Sequence, residues 1–217
     1  MNRPLPPPQH GSPALRTLRP GRWWRVHTLD AQGRFGPAQF NDSGRGDARF
    51  SPLKMGRRWV PTLYAAASEE AALMETVLHD VPYPSAGHIH DLDRDLGSTL
   101  HLSAIEIRQP LRLVDLTQLG LQRMGIPVSQ LFETHADDYP RTRQWAAWLH
   151  QALPQAQGLT WMCARHAEHA ALMLFGDRIE AGTVIAAGEP RPLAQAAVLE
   201  RLLGLLQHLG CGVAPNR

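Results

Sequence analysis

The stretch SEEAALMETVLHD, residues 68–80, is the strongest helix signal in the chain, and it follows directly on the strand-like WVPTLYAAAS at 59–68. Ser68 offers a side-chain oxygen to the first free backbone amides, and Glu69 and Glu70 favour the positive end of the helix dipole. Leu73 with Val77, and Met74 with Leu78, form an i,i+4 apolar face. Glu75 lies off the centre of that face with His79 one turn on, so by pattern alone it is a surface residue in an i,i+4 pair. The remaining segments alternate in the same way. RWWRVHTL (22–29) reads as a first strand, and the Gly-, Asp- and Asn-rich 30–53 as mostly loop with a short extended end. STLHLSAIEI and LRLVDL read as two strands broken by Pro110. A helical middle, LFETHADDYPRTRQWAAWLHQAL, is divided at Pro140. GLTWMCA and AALMLF read as buried strands and TVIAA as another. PLAQAAVLERLLGLLQHLG (192–210) is an amphipathic helix closed by Gly210. The expected fold class is α+β, a mixed sheet core with covering helices.

With 217 residues, 43% of them hydrophobic and 19% charged, the chain suits one domain with a sizeable core. Residues 1–20, with Pro6-Pro7-Pro8, are expected to be a flexible arm, leaving 21–217 as the domain. A net charge of +2 gives no reason for direct contact with nucleic acid. The apolar runs fall short of a membrane span and the N-terminus lacks a secretory pattern, so a cytoplasmic protein is expected. Cys163 and Cys211 are too few for a disulfide framework or a cysteine zinc site.

Three local patterns invite chemistry. His88 and His90, and His166 and His169, lack the spacing of a helical zinc motif, and no metal is expected. GRGDAR (44–49) has no P-loop ending but places Arg45 and Arg49 in a backbone-rich segment suited to a phosphate. Cys163 is followed by Arg165 and His166, the ingredients of an activated thiol. A residue three along a strand is out of hydrogen-bond register, however, and the pattern alone favours a small core residue.

Taken together, four blocks resemble the RES-domain family, toxins of bacterial two-gene toxin–antitoxin modules. They are Arg49-Phe50, Leu63-Tyr64-Ala65-Ala66, Ala72-Leu73-Met74-Glu75, and the run Gly158-Leu159-Thr160-Trp161-Met162-Cys163-Ala164-Arg165. Their order and spacing fit over roughly 22–190. Cys163 stands where the family carries the serine of its Arg–Glu–Ser set, and a thiol is a weaker hydrogen-bond donor than a hydroxyl.

The resemblance implies a fold similar to ADP-ribosyltransferases, NAD as substrate, and cleavage of the nicotinamide–ribose bond. The acceptor is water or phosphate, or alternatively a protein side chain; a module that binds NAD or a partner without turnover is the remaining reading. In the implied site Glu75 stabilises the cationic ribose, Arg49 grips the pyrophosphate with Arg45 and Arg25 as helpers, Tyr64 stacks on nicotinamide, and Cys163 positions. The implied partner is a cognate helix-turn-helix antitoxin. The C-terminal leucines, which the core is expected to take, also suit an antitoxin or homodimer surface.

Overall fold

The computed structural model describes residues 5–8, 10–29, 35–82, 85–96, 99–132, 136–163, 166 and 168–214. The chain starts with β1 (Leu15–Leu18) and β2 (Gly21–Thr28), then a small hairpin of β3 (Leu53–Met55) and β4 (Arg58–Val60). Pro61 breaks the expected 59–68 strand, and β5 (Thr62–Ala66) runs into α1 (Glu69–Thr76). Next come β6 (Ile89–His90), α2 (Leu92–Leu96), β7 (Leu100–Ile107) and β8 (Leu111–Asp115). The helical middle is α3 (Gln118–Arg123), α4 (Val128–Leu131) and α5 (Tyr139–Ala152). The chain then runs through β9 (Gly158–Met162), β10 (Ala170–Phe175), β11 (Val184–Ala186), β12 (Arg191–Pro192), α6 (Ala196–His208) and β13 (Gly212–Val213).

Among the described residues nine strands form one sheet in the order β1-β8-β9-β10-β5-β2-β7-β11, with β12 also on β7. The β8–β9 pair is parallel and the other pairs in this sheet are antiparallel. The alternation of apolar residues along β5, β9 and β10 divides two cores. Tyr64, Ala66, Leu159, Trp161, Ala171 and Met173 belong to the face packed by α1, α5 and α6. Leu63, Ala65, Leu172 and Leu174 belong to a smaller core with Trp23, Ile105 and Ile107. β9 must pass close to β10 at Gly158, where a Cβ would lie 2.3 Å from the Met173 carbonyl oxygen.

Three further expectations change. Leu15–Leu18 of the expected flexible arm pair with β8 as the edge of the sheet, because Leu15 and Leu18 reach apolar neighbours on opposite faces. Pro140 opens α5 in its first turn, where its missing N–H costs no helical bond, so it starts a helix instead of dividing one. α1 ends at Thr76 short of Asp80: the His79 Nδ1 takes the Thr76 carbonyl at 2.7 Å and Leu78 N bonds back to Leu73 O at 3.1 Å. The cap is as expected, with Ser68 Oγ accepting from Ala71 N at 3.1 Å, and Leu73, Met74, Val77 and Leu78 are all buried. The two N-terminal glutamates of α1 are tied to distant cations. Glu69 pairs with Arg191 of β12 at 2.5 Å and with Arg201 of α6 at 3.0 Å, and Glu70 pairs with Arg201. Of the C-terminal leucines, Leu202 and Leu206 are fully buried while Leu203 remains 38% exposed. Among the described residues no helix is long and apolar enough to cross a membrane.

Candidate functional site

The main sheet parts in its middle. β2 pairs with β7 over its whole length from Gly21 to Thr28, and β5 with β10 from Thr62 to Ala66, yet β2 and β5 meet at the single bridge Trp24–Ala66. Beyond that bridge the two strands diverge, and Asn41 fills the far end by exchanging backbone hydrogen bonds with Thr62 at 2.8 and 3.0 Å. A cleft of about 530 Å³ occupies the opening, within the usual range for small-molecule sites. It is lined from β2, β5, the loop 35–49, and the α1 residues Ala72, Glu75 and Thr76, with Tyr139 and Trp161 beside them.

On the α1 side the lining is aromatic around one carboxylate. Glu75 is half-buried, and Trp161 Nε1 donates to its Oε2 at 3.3 Å across 86 residues of sequence. Tyr64 lies edge-on to Trp161 at 6.2 Å, and its hydroxyl accepts from Phe50 N at 3.1 Å. Burial pushes the Tyr64 phenol up to about 12, so it stays protonated across the physiological range. Arg49 is gripped from α4 and α5: Nη1 donates to Leu131 O at 2.8 Å, and the guanidinium carbon sits 5.7 Å from the Phe132 ring centre and 5.4 Å from that of Tyr139. Thr142 Oγ1 donates to the Arg49 carbonyl, and Arg143 holds the preceding residues through Ala48 O at 3.1 Å and the Asp47 carboxylate. The arginine-bearing segment, read as loop from the sequence, is therefore clamped to α5. Phe50 behind it is fully buried, edge-on to Phe132 at 5.9 Å and to Trp161 at 5.3 Å.

On the β2 side the lining is a polar anchor for the loop. Arg25 Nη1 donates to Pro37 O and Gln39 O, each at 3.0 Å, and its desolvation lowers the guanidinium to about 10, still cationic at neutral pH. His27 is 6% exposed and fully engaged. Its Nδ1 lies 2.8 Å from Phe35 O and must carry the proton, and the Ser103 hydroxyl donates to Nε2 at 2.8 Å. Burial, then the Arg25 charge, pulls this imidazole down to about 4, so it is neutral. Arg45 lies exposed on the cleft lip, its backbone fixed by Asn41 Nδ2 at 2.9 Å and Ser43 Oγ at 3.1 Å.

His27 makes a definite pH prediction. Its folded pKa lies below the ordinary value, so the unfolded chain binds more protons between about pH 4 and 6.5, and stability falls as pH falls through that window. A shift of that size is worth up to about 3 kcal/mol. Urea midpoints measured from pH 7 to pH 4.5 should therefore decline more steeply in the native chain than in His27→Gln. Parallel curves would refute a buried neutral His27.

Of the residues singled out from sequence, Arg25, Arg45, Arg49, Tyr64 and Glu75 all line the cleft, and Cys163 does not. Cys163 is 1% exposed in the main core, one strand period beyond Trp161, with its amide donating to His169 O at 2.9 Å. Arg165 lies outside the described residues. Trp161 was legible as the aromatic of its block, although nothing in that block announces a bond to Glu75. His27 and Tyr139 carry no local signal at all. His90, part of the HIHD run, is buried against Asp95 at 2.7 Å. Among the described residues no three His, Cys, Asp or Glu side chains converge as metal ligands.

The RES domain model matches residues 22–194, most of the chain. The chain belongs to the RES-domain family. Its fold is similar to a chain of the M. tuberculosis MbcT–MbcA toxin–antitoxin complex, with a TM-score of 0.60 at 17% identity, covering 86% of this chain and 92% of that one. No curated protein matches this RES-domain chain.

Proposed function

We propose that this RES-domain protein cleaves NAD at the nicotinamide–ribose bond and is the toxin of a toxin–antitoxin pair. The observation that carries the reading is the convergence of Arg49, Tyr64 and Glu75, borne on a loop, a strand and a helix, on one cleft. Nicotinamide is cationic while attached and leaves neutral, so no acid is needed to protonate it. The cost lies in the oxocarbenium-like ribose, which a fixed carboxylate stabilises more in the transition state than in the ground state. Glu75 performs this task on a helix pinned at its start by Arg191 and Arg201. Arg49 and Arg45 face the pyrophosphate, and Tyr64, a neutral ring beside Trp161, stacks on nicotinamide. Arg25 serves by holding the loop, and Cys163 acts from behind the lining by packing β9 so that Trp161 meets Glu75. Water attacking C1′ gives ADP-ribose, nicotinamide and a proton; phosphate gives the 1″-phosphate of ADP-ribose.

The test is incubation of the purified chain with NAD, with and without phosphate, following nicotinamide and the adenylate product by chromatography and mass. Nicotinamide release with either product supports the reading, and the product names the acceptor. Release that requires an added protein, which becomes modified, means ADP-ribosyl transfer instead. Intact NAD in every arm overturns it. Trp161→Phe keeps the ring but removes the donor to Glu75, and should lower kcat by about tenfold, the worth of one hydrogen bond to a charged group. An unchanged kcat would mean that Glu75 is aimed by other contacts.

The similarity to a toxin from a toxin–antitoxin complex supports a protein partner and a cytoplasmic site of action. Production of the chain in bacteria should deplete NAD and stop growth. Co-production of a neighbouring helix-turn-helix protein should restore both, and failure to restore growth would remove the antitoxin half of the reading.

A further inference from the structure

Phe35 stands apart from the other aromatic residues of the cleft. It is 43% exposed, and among the described residues it makes no ring contact with another aromatic residue or cation, while Ala38 and Phe40 of the same loop pack onto the smaller core. Its φ of 67° is the left-handed conformation that a bulky side chain rarely adopts and keeps only where its surroundings impose it. Here they do. The Phe35 carbonyl accepts from His27 Nδ1 at 2.8 Å, its amide donates to Gln39 Oε1 at 2.8 Å, and Arg25 ties down the next turn of the loop at Pro37 and Gln39. A buried, neutral histidine and an arginine are thus committed to holding an apolar ring at the solvent edge of a cleft, where hydrophobicity alone would not keep it.

We infer that Phe35 is the stacking platform for the adenine of the dinucleotide, and so sets the preference for NAD over shorter nicotinamide nucleotides. The inference rests on the NAD reading above. Glu75, Tyr64 and Trp161 lie on the α1 and β9 side of the parted sheet, so the scissile bond belongs there. Phe35 is fixed to β2, on the other side of the opening. A dinucleotide with nicotinamide beside Glu75 extends its unreacting end across the opening toward β2. That end is a neutral, planar base, which binds through its face to an aromatic ring and keeps its other face in water. Half-exposure at the rim fits this base, whereas the reacting ring needs an enclosed place.

The test compares the full-length chain with Phe35→Ala and Phe35→Trp on NAD and on nicotinamide mononucleotide, which has the same scissile bond but no adenosine. AMP binding is measured alongside, and thermal melting verifies the fold. Phe35→Ala should raise KM for NAD and Kd for AMP by about five- to a hundredfold, the worth of one base–aromatic stack. It should leave kcat, and kcat/KM for the mononucleotide, within about twofold, and Phe35→Trp should restore both KM and Kd. Equal losses on both substrates, or none on NAD, would overturn the adenine assignment while leaving NAD cleavage standing. A chain that binds AMP through Phe35 but leaves NAD intact retains the platform and discards the cleavage. A wild-type chain that neither cleaves NAD nor binds AMP discards both.

Discussion

Glu75→Gln is expected to lower nicotinamide release from NAD by at least about a hundred- to a thousandfold, the usual cost of removing one group that stabilises transition-state charge. The substitution is chosen for what it preserves. Glutamine keeps the length and an oxygen for Trp161 Nε1, so the 3.3 Å contact has an acceptor as before. Glu75 is half-buried on a helix whose anchoring residues, Ala71, Leu73, Met74 and Leu78, are untouched. Its melting temperature should therefore stay within a few degrees of the parent, about 1 kcal/mol at this chain length. Loss confined to kcat assigns Glu75 to the transition state, because ground-state binding would raise KM instead. A variant that turns over NAD at near-parental rate removes Glu75, and with it the mechanism.

Phe50→Ala is expected to be the most damaging single truncation near the site. Phe50 is fully buried at the junction of the Arg49 loop, α4 and β9, edge-on to Phe132 and Trp161. Losing a buried phenyl costs about 3–5 kcal/mol, from lost transfer energy and an unfilled cavity. That is a large part of the 5–15 kcal/mol typical of a domain and lowers Tm by roughly 6–20 °C. The loss should also reach function, since the ring packs edge-on to Phe132, over which the Arg49 guanidinium lies, and to Trp161, the donor to Glu75. Calorimetry and NAD kinetics on the surviving folded fraction separate the two effects. A Tm shift below about 3 °C would mean that the cluster collapses onto the void.

What the sequence disclosed, and what it withheld, follows the range of the forces involved. α1 was legible because capping, dipole and i,i+4 packing act within one turn. β2 and β7 were legible because each carries several β-formers, and β10 because it is a short, unbroken apolar run. β1 was not, since LRTL is short and pairs only at the sheet edge with β8, where Leu15 meets Val114 and Leu18 meets Leu111. The Pro140 boundary was misplaced for a local reason: proline both breaks and begins helices, and the side chosen depends on where Tyr139 is buried. The site divides similarly. Arg49, Tyr64 and Glu75 are individually ordinary, and only the family pattern joined them. Glu75 in particular reads as a surface residue until the fold brings β9 alongside. His27 is invisible because its partners, Ser103 and Phe35, are joined to it by topology and by a loop carbonyl. For Cys163 the local pattern and the fold agree on a buried core residue, off the cleft to which the family resemblance assigned it.

The single bridge between Trp24 and Ala66 has a consequence for how this protein responds to what it binds. A continuous ladder would lock β2 to β5, but here the backbone rows of Val26 and Tyr64 turn toward one another across an unzipped seam. They face a cleft instead of a neighbouring strand, so these amides should exchange with deuterium far faster than those of β7 in the same sheet. An occupant of the seam supplies the missing rungs and sutures the two half-sheets together. Ligand binding would then be read as cooperativity newly acquired by the whole sheet, with the slowest-exchanging core spreading from β7 and β10 inward until it is continuous.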